Sequence, residues 1–169
     1  MTDDDRIGAL ERRLREVEDR LAIYQLLMTY GPAADSGSDD VVRALHTEDA
    51  EYDSGLETFH GAAGIAEMIA SLPLHRKIMA GGSGHMATLP AVRIDGDRAV
   101  ALCHGMLQRF DRKADAFRVW RTTAVRLEFR RTAAGWRIHR RRNHLMDGSD
   151  SAHRHFRDGL REVGAVPGE

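Results

Sequence analysis

A chain of 169 residues with 42% hydrophobic and 30% charged side chains can bury a core without a disulfide or structural metal, and its single Cys103 cannot form an internal bridge. No stretch approaches membrane-spanning length, and the start MTDDDRIGALERR lacks a basic region followed by an apolar run, so a soluble, cytoplasmic protein with no membrane partner is expected. The net charge of −1 conceals an asymmetry: residues 1–60 carry 15 acidic and 6 basic groups, whereas residues 109–142 carry 12 basic and 3 acidic. That basic stretch alternates with Val, Leu, Phe and Trp as a strand does and has no RNA-binding aromatic motif. It reads as a solvated or subunit-facing sheet surface that pairs with the acidic N-terminal half, and nucleic acid is not an expected partner.

Asp3 to Asp5 supply N-cap candidates and negative charge for a first helix, along which apolar residues recur at Ile7, Leu10, Leu14, Val17, Leu21 and from Ile23 to Met28. The near-heptad spacing allows a coiled-coil contact, but too few heptads follow for that to be the main reading. Gly31-Pro32 is expected to end or kink this helix at Tyr30, leaving Asp35 just beyond it. Asp39 can cap a helix over Val41 to Leu45. Ala50 to Asp53 reads as a short strand, Gly55 as a turn, and the chain extends again through Phe59. A third helix over Gly61 to Leu72 stops at Pro73. The run Gly81-Gly82-Ser83-Gly84 is a hinge that lacks the residues of a phosphate-binding loop. Four strands follow near 85–94, 98–110, 117–131 and 136–146, with Asp95-Gly96-Asp97 as the clearest hairpin turn. Helices followed by an antiparallel meander predict one α+β domain over residues 1–148. Residues 149–169 form a tail, either mobile or with a short helix around Phe156 and Leu160.

Several segments resemble the SnoaL-like, or nuclear transport factor 2-like, superfamily. They are Asp19 through Tyr30 and Ala34-Asp35-Ser36-Gly37, Leu45 to Tyr52 with its Asp49-Ala50-Glu51-Tyr52, Phe59-His60-Gly61 with the helix after it, and Gly135-Trp136-Arg137-Ile138. The similarity spans about residues 7–148. It implies a cone-shaped, curved antiparallel sheet wrapped around the N-terminal helices, with an open mouth suited to a small hydrophobic substrate. It also implies a homo-oligomer, a trimer ahead of a dimer. In the small lyases of this superfamily, among them scytalone dehydratase, bile-acid 7α-dehydratase and hexachlorocyclohexane dehydrochlorinase, a catalytic Asp and His match Asp35 and His85. Tyr30 and Tyr52 match hydroxyls that hold or polarise a substrate carbonyl, and an arginine of the last strand matches Arg141.

Taken by type alone, Asp35 in Asp-Ser-Gly reads as a turn or cap residue, and His85 is one of nine histidines. Together, a carboxylate bonded to one imidazole nitrogen fixes the tautomer and steadies the imidazolium formed when the other nitrogen takes a proton. The expectation is therefore a cofactor-independent lyase of the dehydratase type, with His85, Asp35 and Tyr30 catalytic. Isomerisation, polyketide-type cyclisation and a noncatalytic ligand-binding or assembly subunit are the alternatives. Strand alternation turns Arg141 inward, together with His139 and Asn143, where they could bind an oxyanion or carboxylate. Tyr52, Arg141, Asn143 and Trp120 complete the candidate binding set, although Trp120 also fits rim packing. Met28, Met68, Met79, Met86 and Met106 could line an adaptable apolar cavity or simply fill the core. No His-Glu or Cys cluster predicts zinc, so no metal or other cofactor is expected.

Overall fold

A computed structural model describes residues 2–164. Helix α1 (Asp3–Ser36) opens with a capping box in which Thr2, one residue ahead of the acidic run, accepts from the Asp5 backbone N–H while the Asp5 carboxylate accepts from Thr2 N–H. Contrary to the sequence expectation, α1 does not end at Tyr30. It continues through Gly31 and Pro32 and carries Asp35 in its final turn. An internal proline forfeits one helix hydrogen bond and costs a free helix about 3 kcal/mol, so packing must hold this turn. Gly31, Ala33 and Ala34 are buried, and His75 Nε2 donates to the Ala34 carbonyl at 3.0 Å. Ser36 Oγ donates to the Pro32 carbonyl, and Gly37, in the left-handed conformation at φ 71°, closes the helix with its N–H on the Ala33 and Ala34 carbonyls.

Helix α2 (Asp39–Leu45) leads directly into β1 (His46–Asp53), which begins four residues earlier than anticipated and turns back through β2 (Thr58–His60). Helix α3 (Gly61–Ser71) stops before Pro73 as expected, but that proline then occupies the first turn of another helix, α4 (Pro73–Gly81). The strand anticipated over 85–94 is two strands, β3 (Ser83–Ala87) and β4 (Ala91–Asp95), both paired with β5 (Arg98–Asp111). Pro90, lying between them, has no N–H to contribute to a ladder. The meander continues through β6 (Ala116–Thr132) and β7 (Gly135–Leu145).

The seven strands form one sheet in the order β2-β1-β7-β6-β5-β3, with β4 also on β5. It is not wholly antiparallel, because β1 runs parallel to β7 and sets Tyr52 opposite Arg141. Register shifts between Leu107 and Gln108 and at the β6–β7 pairing increase its curvature. The concave face closes on α1, whose Ile23, Leu27 and Tyr30 join Cys103, Val125, Leu127 and Ile138 in the core. The charge asymmetry becomes ion pairs. Arg131 bonds Asp19 through both terminal nitrogens at 2.6 Å, Trp136 Nε1 donates to the same carboxylate, Arg130 pairs with Asp49, and Arg140 pairs with Glu51. Residues of the expected tail form helix α5 (Asp150–Glu162), packed on the convex face where Glu162 pairs with Arg126 and Gly159 adjoins Leu102.

Gly31 marks the closest approach of α1 to β3: a Cβ there would collide with the backbone carbonyl of His85, which cannot swing aside as a side-chain tip could. Gly31→Ala should therefore destabilise the fold by about 1–3 kcal/mol, read as a lower urea midpoint, and should displace the His85 ring resonances. An unchanged midpoint would mean that the two elements are not packed this tightly.

Candidate active site

Ser83 and His85 are two residues apart on β3, so strand alternation directs both side chains to one face, toward the last turn of α1. There Asp35 Oδ1 accepts from Ser83 Oγ at 2.7 Å and from His85 Nδ1 at 2.6 Å, while Oδ2 accepts from the His85 backbone N–H at 2.7 Å. An ionised carboxylate only accepts, so Nδ1 carries the proton and Nε2 is left with its lone pair. Among the described residues, Nε2 has no hydrogen-bond partner.

Burial opposes the charge on Asp35, but the donors from Ser83, the His85 backbone and the His85 ring outweigh it and hold the carboxyl below its usual range. For His85, burial depresses the imidazole below its ordinary value of 6.5; Asp35 pulls it upward, while Arg141 and His75 push it down again. The His75 ring lies 5.9 Å from the His85 ring, centroid to centroid. At neutral pH the pair is thus a neutral imidazole beside an ionised carboxylate, the state a general base requires.

His85 forms part of the wall of a cavity of about 310 Å³ between α1 and the concave sheet. Tyr30, Tyr52, Arg141 and Asn143 line the same space. The Arg141 guanidinium lies 4.4 Å from the ring centre of Tyr30 and 4.8 Å from that of Tyr52. Its Nε donates to Asn143 Oδ1 at 3.2 Å, and Asn143 Nδ2 donates to the Tyr52 hydroxyl at 3.3 Å. Among the described residues, no carboxylate pairs with Arg141 and no Asp or Glu lines the cavity. Burial, and then the neighbouring Tyr52, raise the Tyr30 phenol well above its usual value, so it stays protonated and able to donate.

Five of the six side chains expected around His85 therefore meet there, with Asp35 behind the ring rather than in the cavity wall. Trp120 does not join them. It lies on an exposed part of β6 with Arg109 stacked over it at 5.2 Å, outside the cavity lining. His139 also leaves the face predicted from strict alternation. Glu128 pairs with Arg140 but Phe129 with Ile138, so His139 is the extra residue of a bulge, and its Nδ1 bonds Thr47 Oγ1 at 3.1 Å. Ile138 and Arg141 consequently share the cavity face. Of the methionines, Met28, Met86 and Met106 line the cavity, Met68 is in the core and Met79 packs against Gly37.

Sequence reasoning missed Ser83, His75 and Arg121. Ser83 was legible in principle from its two-residue spacing to His85. Arg121 continues inward the alternation of Thr123, Val125 and Leu127; its Nη2 donates to the Ser54 carbonyl at 2.9 Å, while its buried Nε has no partner among the described residues. His75 lies on a helix that was not anticipated.

Residues 15–142 match the SnoaL-like domain family. The chain belongs to this family. It is similar to a nuclear transport factor 2-like protein with a cystatin-like fold from Novosphingobium aromaticivorans, at 42% identity and a TM-score of 0.82, over 86% of this chain and 94% of that one. A second protein from the same bacterium, provisionally named an aromatic ring hydroxylase, is 29% identical with a TM-score of 0.58, over 77% of this chain and 90% of that one. LinA shares the fold at 16% identity and a TM-score of 0.62, over 79% of this chain and 89% of that one. No curated protein sequence matches the SnoaL-like chain closely enough to be called a relative. The superfamily includes isomerases, dehydratases and ligand-binding subunits.

The electrostatics can be tested without a substrate. His85 should titrate below 6.5 by NMR, and Asp35→Asn should lower its pKa further, because Asp35 is the group that stabilises the imidazolium. A higher pKa in the variant would contradict the assigned contact.

Proposed function

We propose that this SnoaL-like protein is a cofactor-independent lyase of the dehydratase type, acting on a small, largely apolar ring ketone with a hydroxyl at the β or a vinylogous position. The observation that carries this reading is the 2.6 Å bond between Asp35 and His85 Nδ1, with Nε2 free of any partner among the described residues on a ring that borders the cavity. His85 Nε2 takes the proton next to the carbonyl, and the electrons of that C–H bond pass into an enolate. Tyr30 and Arg141 hold the enolate oxygen, while the ionised Asp35 balances the imidazolium. Collapse of the enolate re-forms the carbonyl, creates the conjugated C=C and breaks the C–O bond. The departing hydroxide takes the proton back from His85 and leaves as water. Tyr52 and Asn143 orient Arg141, and the absence of cavity-lining carboxylates among the described residues suits a transition state that gains negative charge.

Turnover of β-hydroxy ketones with steroid and polyketide-like rings, followed by mass spectrometry, tests this reading. His85→Ala should lower water loss by a factor of about 10²–10⁴ while still binding the compounds. In the wild type, kcat/KM should rise with pH through a pKa below 6.5 and be level by neutrality, since the base form of His85 is already populated there. Because the superfamily also contains ligand-binding subunits, a second reading is a noncatalytic subunit that binds an apolar ring. Binding without conversion by the wild type, matched by His85→Ala, would select it.

A further inference from the structure

The first part of α1 has no role in the cavity. Ile7, Leu10, Leu14, Val17 and Leu21 are each between 54% and 60% exposed and form a continuous apolar stripe along one helix. The spacing of these five residues, three then four throughout, is that of the a and d positions of a coiled coil, with Ile7, Leu14 and Leu21 at a and Leu10 and Val17 at d. At 3.6 residues per turn this stripe lies on the side of α1 roughly opposite Asp19, Ile23 and Tyr30, which fasten the helix to the sheet. A partner could therefore reach it without meeting this chain's own domain.

The flanking charges say what the partner is. The g positions are Arg6, Arg13 and Arg20; Arg20 is held by its own chain, on Glu16 and the Val92 carbonyl, whereas five residues after Arg6 and Arg13 the e positions are Glu11 and Glu18. Arg6, Arg13, Glu11 and Glu18 make no ion pair among the described residues. In a parallel, in-register pair, each g side chain meets the e side chain of the following heptad across the seam, so Arg6 meets Glu11 and Arg13 meets Glu18 on both flanks. An antiparallel pair would instead bring arginine to arginine and glutamate to glutamate. Charged residues at both e and g also leave a narrow a/d seam, which suits two strands better than a larger bundle. We infer that α1 is a self-association element, and that two copies of this chain join through residues 6–21 as a parallel two-stranded coiled coil with their domains on its outer flanks.

Sedimentation of the full chain, with Leu14→Glu and Leu10→Cys alongside, tests the inference. The wild type should show the mass of two copies, and Leu14→Glu should raise the dissociation concentration about tenfold or more while keeping its circular dichroism spectrum, since Leu14 contributes nothing to the core. Mild oxidation of Leu10→Cys should give an interchain disulfide, because residue 10 meets its own copy only in the parallel register; the buried Cys103 makes the wild type a clean control. A monomeric wild type, a three-copy mass, or an assembly indifferent to Leu14→Glu would overturn the inference. Dissociation by Leu14→Glu without cross-linking at residue 10 would overturn the parallel arrangement.

Discussion

A carboxylate in the last turn of a helix sits at the negative end of the helix dipole, where it is disfavoured unless donors reach it from outside. Asp35 is in that position, and all three of its donors come from two residues of β3, Ser83 and His85. The contact therefore joins α1 to the edge of the sheet and sets the orientation of His85 in the same stroke. It depends on α1 persisting through Pro32, and on Gly31 being small enough for the His85 carbonyl to lie against it. Lengthening the Gly31 side chain by one carbon would separate the groups that the fold brings together.

The remaining polar groups of the cavity are linked in series. The Tyr52 hydroxyl accepts from Asn143, Asn143 accepts from Arg141, and Arg141 lies over the rings of Tyr30 and Tyr52. A part-buried guanidinium that meets aromatic faces, with no carboxylate partner among the described residues, is costly to keep and strongly attractive to incoming negative charge. Burial is the main force that depresses His85 and Arg141 adds to it, so the same cation helps keep the base neutral and receives the charge that the base generates in the proposed chemistry. The buried Nε of Arg121 adds a donor without a partner among the described residues on the same wall.

Most of the architecture was legible, because apolar spacing and turn residues report on local structure. The last three strands of the meander, the Pro73 boundary and the pairing of acidic and basic halves all followed from such signals. Some misreadings passed over local signals, such as Pro90 inside the strand expected over 85–94 and Pro73 opening α4; the others come from tertiary contact overriding local preference. Pro32 is an accurate breaker in a free helix, but here packing around Ala33 and Ala34 and the His75 bond to the Ala34 carbonyl carry the helix three residues further to Asp35. The parallel β1–β7 pairing is a long-range choice invisible in either strand. His139 was assigned to the cavity by counting in twos, and one bulged residue invalidates such counting. Trp120 resembled a ligand platform by type, yet exposure and a stacked arginine are what its position provides. Within the site, His85 and Asp35 drew their weight from the resemblance, whereas Ser83 could have been found from spacing alone.

The central claim, that His85 removes a proton beside a carbonyl, can be isolated from the fate of any leaving group. The measurement is hydrogen–deuterium exchange in D₂O at the carbon next to the carbonyl of a ring ketone that binds the cavity and has no β-hydroxyl, followed by NMR for the wild type and His85→Ala. The account predicts exchange well above the buffer rate in the wild type and a return to that rate in the variant, with binding retained. A bound ketone whose protons exchange no faster than in buffer, or equally fast with and without the imidazole, would contradict it.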